Sequence, residues 1–238
     1  RPRAERSLQP VVEPAPVQQP SQRVRVDGQG QEAVAGLAGD RSQVQPLIVG
    51  QLACSLVLSL VPARDAVDWS QVHVWWGDER WLPAGDADRN DTQNDEAGLN
   101  ALGLDPAKVH RVAGPDASES AEASAEAYAR TIREHGQKAW DVVLFGVGPD
   151  GHVASLFPHP PAQRVTDAIA VAVHDSPKPP PDRVSLTFEC FERSHEVWFL
   201  VAGDDKADAV RSALAPDADR WDVPAAGPRG SDATLWLP

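Results

Sequence analysis

Long apolar runs, paired cysteines and basic charge are what this sequence has little of. No stretch approaches the roughly 20 apolar residues a membrane-spanning helix needs. The most apolar one, residues 47–61, is broken by Gln51, Ser55 and Ser59 at four-residue intervals, which predicts a buried helix with one polar stripe. No basic segment with a cleavage site of signal-peptide form closely precedes it, and the chain opens on Arg1, so its first residues need not be a natural start. Only two cysteines occur, Cys54 and Cys190, far apart. They offer neither a zinc spacing nor a disulfide framework, which points to two buried small hydrophobes in a reducing, cytoplasmic setting. Lys and Arg number 22 against 35 Asp and Glu, a formal net charge of −13. Nucleic acid and membrane surfaces need a basic footprint and are not expected partners. An anionic small molecule is compatible with this charge only where cations are gathered locally.

What is present is a chain of 238 residues, long enough for one sizeable α/β domain. Residues 1 to about 45 are rich in Gln, Pro, Val and Arg, without strand or helix periodicity, and read as loop or poorly ordered. The boundary is set at 61/62, with an atypical N-terminal region before it and an orderly α/β region, 62–238, after it. Strands are predicted at 72–76, 141–146, 168–173 and 197–202, with a short one at 234–237. Residues 183–187 alternate in period two, and 177–181 form a stiff proline connector. A helix is predicted over 118–134, Ala- and Glu-rich with Ser at its start, and another runs from the 203–206 loop to about 214. Residues 85–96, crowded with Asp and Asn, read as turns. Strands alternating with helices imply βαβ units and a mostly parallel sheet flanked by helices.

The most informative segment runs from Asp141 to Pro158. Val142, Val143, Leu144 and Phe145 show no polar alternation, as in a strand covered on both faces. Gly146, Gly148 and Gly151 then surround Asp150 and lead to His152. Strands 72–76, 141–145 and 197–202 each end in Gly followed by polar residues, and in a parallel sheet such loops emerge on one edge, where ligands bind. Arg80, Asp150, His152 and Lys206 are thereby expected in one crevice. The alternative is that glycines simply end the strands and the charges are solvated.

These residues also resemble a known family. Gly146-Val-Gly-Pro-Asp-Gly-His-Val-Ala-Ser-Leu-Phe-Pro158 resembles the signature of 6-phosphogluconolactonases over thirteen consecutive positions. Trp76-Gly-Asp-Glu-Arg-Trp-Leu-Pro83 with Asn90, Pro181-Asp-Arg-Val-Ser-Leu-Thr187 and Val201-Ala-Gly-Asp-Asp-Lys-Ala207 are similar to its further motifs, in the expected order. The related glucosamine-6-phosphate deaminases share the Asp-Gly-His core but continue into Asn-Glu-Pro, whereas Ala154-Ser-Leu-Phe-Pro158 follows here. That difference favours the lactonase over a deaminase or isomerase acting on an amino-sugar phosphate. The family normally opens with a strand and a Gly-Gly-x-Thr phosphate loop. Nothing in residues 1–61 matches it, since Gly28-Gln-Gly30 follows no good strand and has no Thr after it. Two explanations are open, a shifted reading frame upstream of about residue 62 and a diverged N-terminal region. An inactive relative that only binds sugar phosphates is a third outcome compatible with the missing loop.

The resemblance implies a Rossmann-like, sugar-phosphate isomerase-related fold. It also implies hydrolysis of 6-phosphoglucono-δ-lactone, in the pentose phosphate pathway, without metal or other cofactor. His152 is then the candidate general base, since imidazole takes up a proton near neutral pH, or else a structural cap of its loop. Asp150 orients that imidazole or caps the following turn. Amides of the Gly148 and Gly151 loop are candidate oxyanion donors. Arg80, Arg183 and Lys206 are placed as phosphate cations, each with a surface ion pair as the alternative. Asn90 meets a sugar hydroxyl or stabilises its own turn, Asp78 and Glu79 shape Arg80, and Trp75, Trp76 and Trp81 are expected in the core.

Overall fold

The computed structural model describes residues 67–136, 139–159 and 161–237, together with two short strands nearer the N-terminus, β1 (Val24–Arg25) and β2 (Pro46–Ile48). In chain order there follow β3 (Val74–Trp76), β4 (Asp78–Arg80), helix α1 (Asn90–Glu96), β5 (Val109–His110), α2 (Ala121–His135) and β6 (Trp140–Gly146). Then come β7 (Ala170–Val173), β8 (Arg183–Leu186), α3 (Phe188–Phe191), β9 (Ser194–Leu200), α4 (Ala207–Ala213) and β10 (Ala233–Leu237). Seven strands form a parallel sheet in the order β1-β10-β9-β6-β2-β3-β5, and β4-β8-β7 form a small antiparallel sheet.

The main sheet follows from its sequence. All residues of β3, and all of β6 except its final Gly146, are buried, as unalternating apolar runs require when both faces are covered. Phe145 packs edge-on against Phe191 at 4.8 Å, and Phe199 stacks on Trp236 at 4.1 Å. Helix α2 starts where Ser120 accepts the N–H of Ala123 at 3.1 Å. Its Tyr128 hydroxyl accepts from the N–H of Trp76 at 2.8 Å and donates to the Trp76 carbonyl at 3.0 Å, pinning the helix to β3. Cys190 is buried, and burial pushes its thiol up to about 11, so it acts as a small core residue; Cys54 lies outside the described residues.

Strand order also locates a crevice. From β2 the chain steps outward through β3 to β5, whereas β6, on the other side of β2, leads outward through β9 to β10. Between β2 and β6 the direction of winding reverses, and open sheets bind ligands at such a switch point, beyond the carboxyl ends of the strands.

Several expectations need correction. The polar stretch 85–96 is not all turn, because Asn90–Glu96 is helical. Residues 78–80 are not a free loop but strand β4, paired antiparallel with β8. Strand β8 does not alternate in exposure, since all four of its residues are buried. Strand β5 carried no periodicity to find. Strand β1 falls in the stretch 1–45 read as loop or poorly ordered and β2 at the start of the expected 47–61 helix, and both join the sheet by parallel pairing with β10 and with β3 and β6. The remainder of residues 1–61, including the helix expected from 47–61, lies outside the described residues.

Candidate active site

A cavity of about 340 Å³ opens at this crevice. Asp78, Arg80 and Asn90 reach it from β4 and α1, and Gly146, Gly148 and His152 from the end of β6 and the loop after it. Lys178 and Arg183 enter from the proline connector and β8, and Lys206 from the short turn after β9. Four separate sequence motifs therefore meet in one space.

His152 is held on three sides. The Asp150 carboxylate bonds Nδ1, which turns Nε2 outward as the nitrogen left to accept a proton. The ring packs against Phe157 at 4.6 Å between centroids. Below it lies Gly148, where an added Cβ would collide with Nδ1 and Cε1 of His152. Gly151 adopts φ +79°, the left-handed conformation that glycine takes at no steric penalty, and lets the chain turn back. Its N–H donates to the Gly148 carbonyl at 2.9 Å, while the Gly148 N–H donates to the His152 carbonyl at 3.0 Å. Both amides are thus spent inside the loop, and Gly151 does not line the cavity. Burial raises the Asp150 carboxyl, but the His152 hydrogen bond and charge, with Lys178, outweigh it and bring it down to about 2.

Under the cavity lies a buried polar floor. Asp78 Oδ2 accepts from Ser155 Oγ at 2.6 Å, fastening the His152 loop to β4, and faces Arg183 Nη1 at 3.8 Å. Asn90 donates from Nδ2 to the Asp78 carbonyl at 2.9 Å and accepts from Arg80 Nη1 at 2.6 Å. Its amide is committed to protein partners at both ends. Glu79 is fully buried and caps the first turn of α1 from another element: Oε1 accepts the N–H of Asn90 at 2.7 Å, and Oε2 that of Asp91 at 2.9 Å. This tertiary cap is why a run of Asn and Asp becomes a helix. Burial and the neighbouring Asp91 push the Glu79 carboxyl up to about 7, against Arg89 and the backbone N–H groups. Arg89, also buried, closes the module with a bidentate pair to Asp91 at 2.8 Å and bonds to the carbonyls of Leu82 and Val112.

The cations differ in freedom. Arg183 is buried and turned onto the connector, donating to the carbonyls of Lys178, Pro179 and Pro180 at 3.0–3.2 Å. Arg80 Nη1 is anchored to Asp88 and Asn90, but its Nε has no partner among the described residues. Lys178 Nζ lies 3.5 Å from His152 Nδ1, and its ammonium is lowered by burial and by Lys206 and Arg183, with Asp150 opposing. An excess of positive charge lining one cavity, in a chain of net charge −13, is the local gathering an anionic ligand requires.

Comparison with known proteins matches this architecture. The sequence profile described as glucosamine-6-phosphate isomerases/6-phosphogluconolactonase fits residues 48–236. The chain belongs to that family. A 6-phosphogluconolactonase of Streptomyces coelicolor is 50% identical over 185 residues, covering 74% of this chain and 70% of that protein. One from Mycobacterium tuberculosis is 41% identical over 229 residues, covering 92% of each. The crystal structure of 6-phosphogluconolactonase from Thermotoga maritima superposes with a TM-score of 0.75 at 24% identity, over 90% of this chain and 97% of that one, a likeness of fold.

On this glucosamine-6-phosphate isomerase/6-phosphogluconolactonase fold, Arg80, Asn90, Gly148, His152, Arg183 and Lys206 line one cavity, and Asp150 touches it through His152. Lys178 was not singled out from the sequence. Its signal was faint, a lone lysine within Ser176-Pro-Lys-Pro-Pro-Pro181. Sequence reasoning has Asp78 shaping Arg80, and the structure links it to Ser155 and Asn90. Trp75 and Trp76 are fully buried, while Trp81 is half-buried and donates to Ser118 Oγ at 2.9 Å.

Proposed function

We propose that this chain hydrolyses 6-phosphoglucono-δ-lactone to 6-phosphogluconate. One observation carries the reading, an Asp150–His152 pair at a cavity that Arg80, Lys178 and Lys206 also line. The relatives named 6-phosphogluconolactonase, at 41% to 50% identity, support the substrate. A reducing, cytoplasmic setting belongs to the same reading and rests on the cysteine usage.

With Asp150 bonded to Nδ1, Nε2 of His152 takes the proton from a water molecule as its oxygen attacks the lactone carbonyl. The tetrahedral intermediate then collapses with cleavage of the ring C–O bond, and the imidazolium returns its proton to the departing ring oxygen. Asp150 stabilises the imidazolium formed in between. The phosphate dianion is held by the Arg80 guanidinium, anchored through Nη1 to Asp88 and Asn90, with Lys178 and Lys206 as further charges. Arg183 acts on the substrate through the connector, by holding the carbonyls around Lys178.

The test is hydrolysis of freshly prepared 6-phosphogluconolactone, measured against the spontaneous rate, for this chain and for His152→Ala. Acceleration that disappears in the variant supports the reading. A folded chain with no acceleration, or a variant as fast as the parent, overturns it. Ammonia release from glucosamine 6-phosphate would assign the deaminase reaction instead.

A further inference from the structure

We infer that Glu79 is a positioning residue for substrate phosphate, acting through Arg80 and Asn90 without touching the ligand, a role that rests on Arg80 holding the phosphate as proposed above. Glu79 does not line the cavity, yet its carboxylate gathers three backbone N–H groups. These belong to Arg80 at 2.8 Å, Asn90 at 2.7 Å and Asp91 at 2.9 Å. Two of the three are the residues whose side chains reach the cavity from this side and bond each other, Arg80 Nη1 donating to Asn90 Oδ1 at 2.6 Å. One buried carboxylate therefore fixes both ends of the link that aims the Arg80 guanidinium. The link has little other support on the Arg80 side, where Nη1 meets only the Asp88 carbonyl at 2.8 Å and Nε meets nothing among the described residues.

The chemistry calls for a carboxylate. Oε1 accepts two N–H groups and Oε2 a third, with Arg89 Nη2 at 3.9 Å from Oε2. Glutamine in its place preserves shape but sets an NH₂ against the N–H of Asp91, donor facing donor, so the first turn of α1 must shift and carry Asn90 Oδ1 with it. His152 and Asp150 belong to the loop after β6 and keep their own contacts. The effect is therefore expected in binding of the phosphate end and not in the proton transfer.

The experiment compares Glu79→Gln, Asn90→Ala and Arg80→Ala with the parent chain. Each is assayed for KM and kcat with the phosphorylated lactone, and for competitive inhibition by inorganic phosphate. Loss of a charge-assisted contact predicts that Glu79→Gln raises KM and the phosphate inhibition constant together by about tenfold, with kcat within about twofold. Asn90→Ala leaves the Glu79 contacts to backbone in place and is expected to show the same split, which keeps the idea testable should Glu79→Gln fail to fold. Adding Glu79→Gln to Arg80→Ala is expected to cost no further affinity, since both act on one link. A fall in kcat at unchanged KM, an unchanged phosphate constant in the folded variants, or full additivity with Arg80→Ala would overturn the role of Glu79. If Arg80→Ala itself leaves KM and the phosphate constant unchanged, it is the placement of phosphate on Arg80 that fails.

Discussion

The imidazole of His152 rests on the bare α-carbon of Gly148, in space a Cβ would occupy. The glycine is thus fixed by the histidine it supports as much as by the turn it makes.

Gly148→Ala is expected to lower kcat by about 100-fold through displacement of the ring by the order of an ångström, with KM much less affected. Steady-state kinetics on the folded variant measures this. An unchanged kcat would mean that His152 does not need the position seen here.

Asp150→Asn keeps the shape of the contact to Nδ1 but removes its charge, and kcat is expected to fall between about 10- and 100-fold. Because the folded carboxyl is brought down to about 2 from an ordinary 3.8, the parent gains stability above pH 3.8 and loses it as pH falls through about 2. The difference in Tm between parent and variant should therefore be present at pH 6 and close towards pH 2. A gap that persists unchanged to pH 2 would contradict the pairing.

Arg89→Leu takes the bidentate partner from buried Asp91, leaving it Arg111 at 3.5 Å. Removing one member of such a pair is expected to cost about 3–5 kcal/mol in urea unfolding. A loss below about 1 kcal/mol would show that the module is looser than its geometry.

His110 lies far from the cavity chemistry, stacked on Trp75 at 3.7 Å and bonded to His73 at 3.0 Å. Burial, with His73 and His135, lowers it to about 4 from 6.5, so between these values the unfolded chain takes up a proton that the folded chain refuses. Stability therefore falls as pH drops from 6.5 towards 4. His110→Phe, which retains the stack, is expected to lose about 2 kcal/mol less than the parent between pH 7 and pH 5. Equal losses in denaturant titrations at the two pH values would refute it.

What the sequence determined by itself is what local pattern carries. Apolar runs at 72–76, 142–145 and 197–202 read as strands covered on both faces, and the glycines after them as loop starts. Those two features bring His152 and Lys206 to one edge of a parallel sheet, with Arg80 close after strand β3, and the Gly146 to Pro158 motif points to the family. Tertiary structure decided the rest. Helix α1 exists because a carboxylate eleven residues away caps it, from Glu79 to the N–H of Asn90. Strand β4 exists because β8 pairs with it. Lys178 faces the cavity because Arg183 folds the proline connector inward by its carbonyls. In the first two cases the deciding partner lies eleven or more residues away, and hydrogen bonds between such residues leave no period in a sequence.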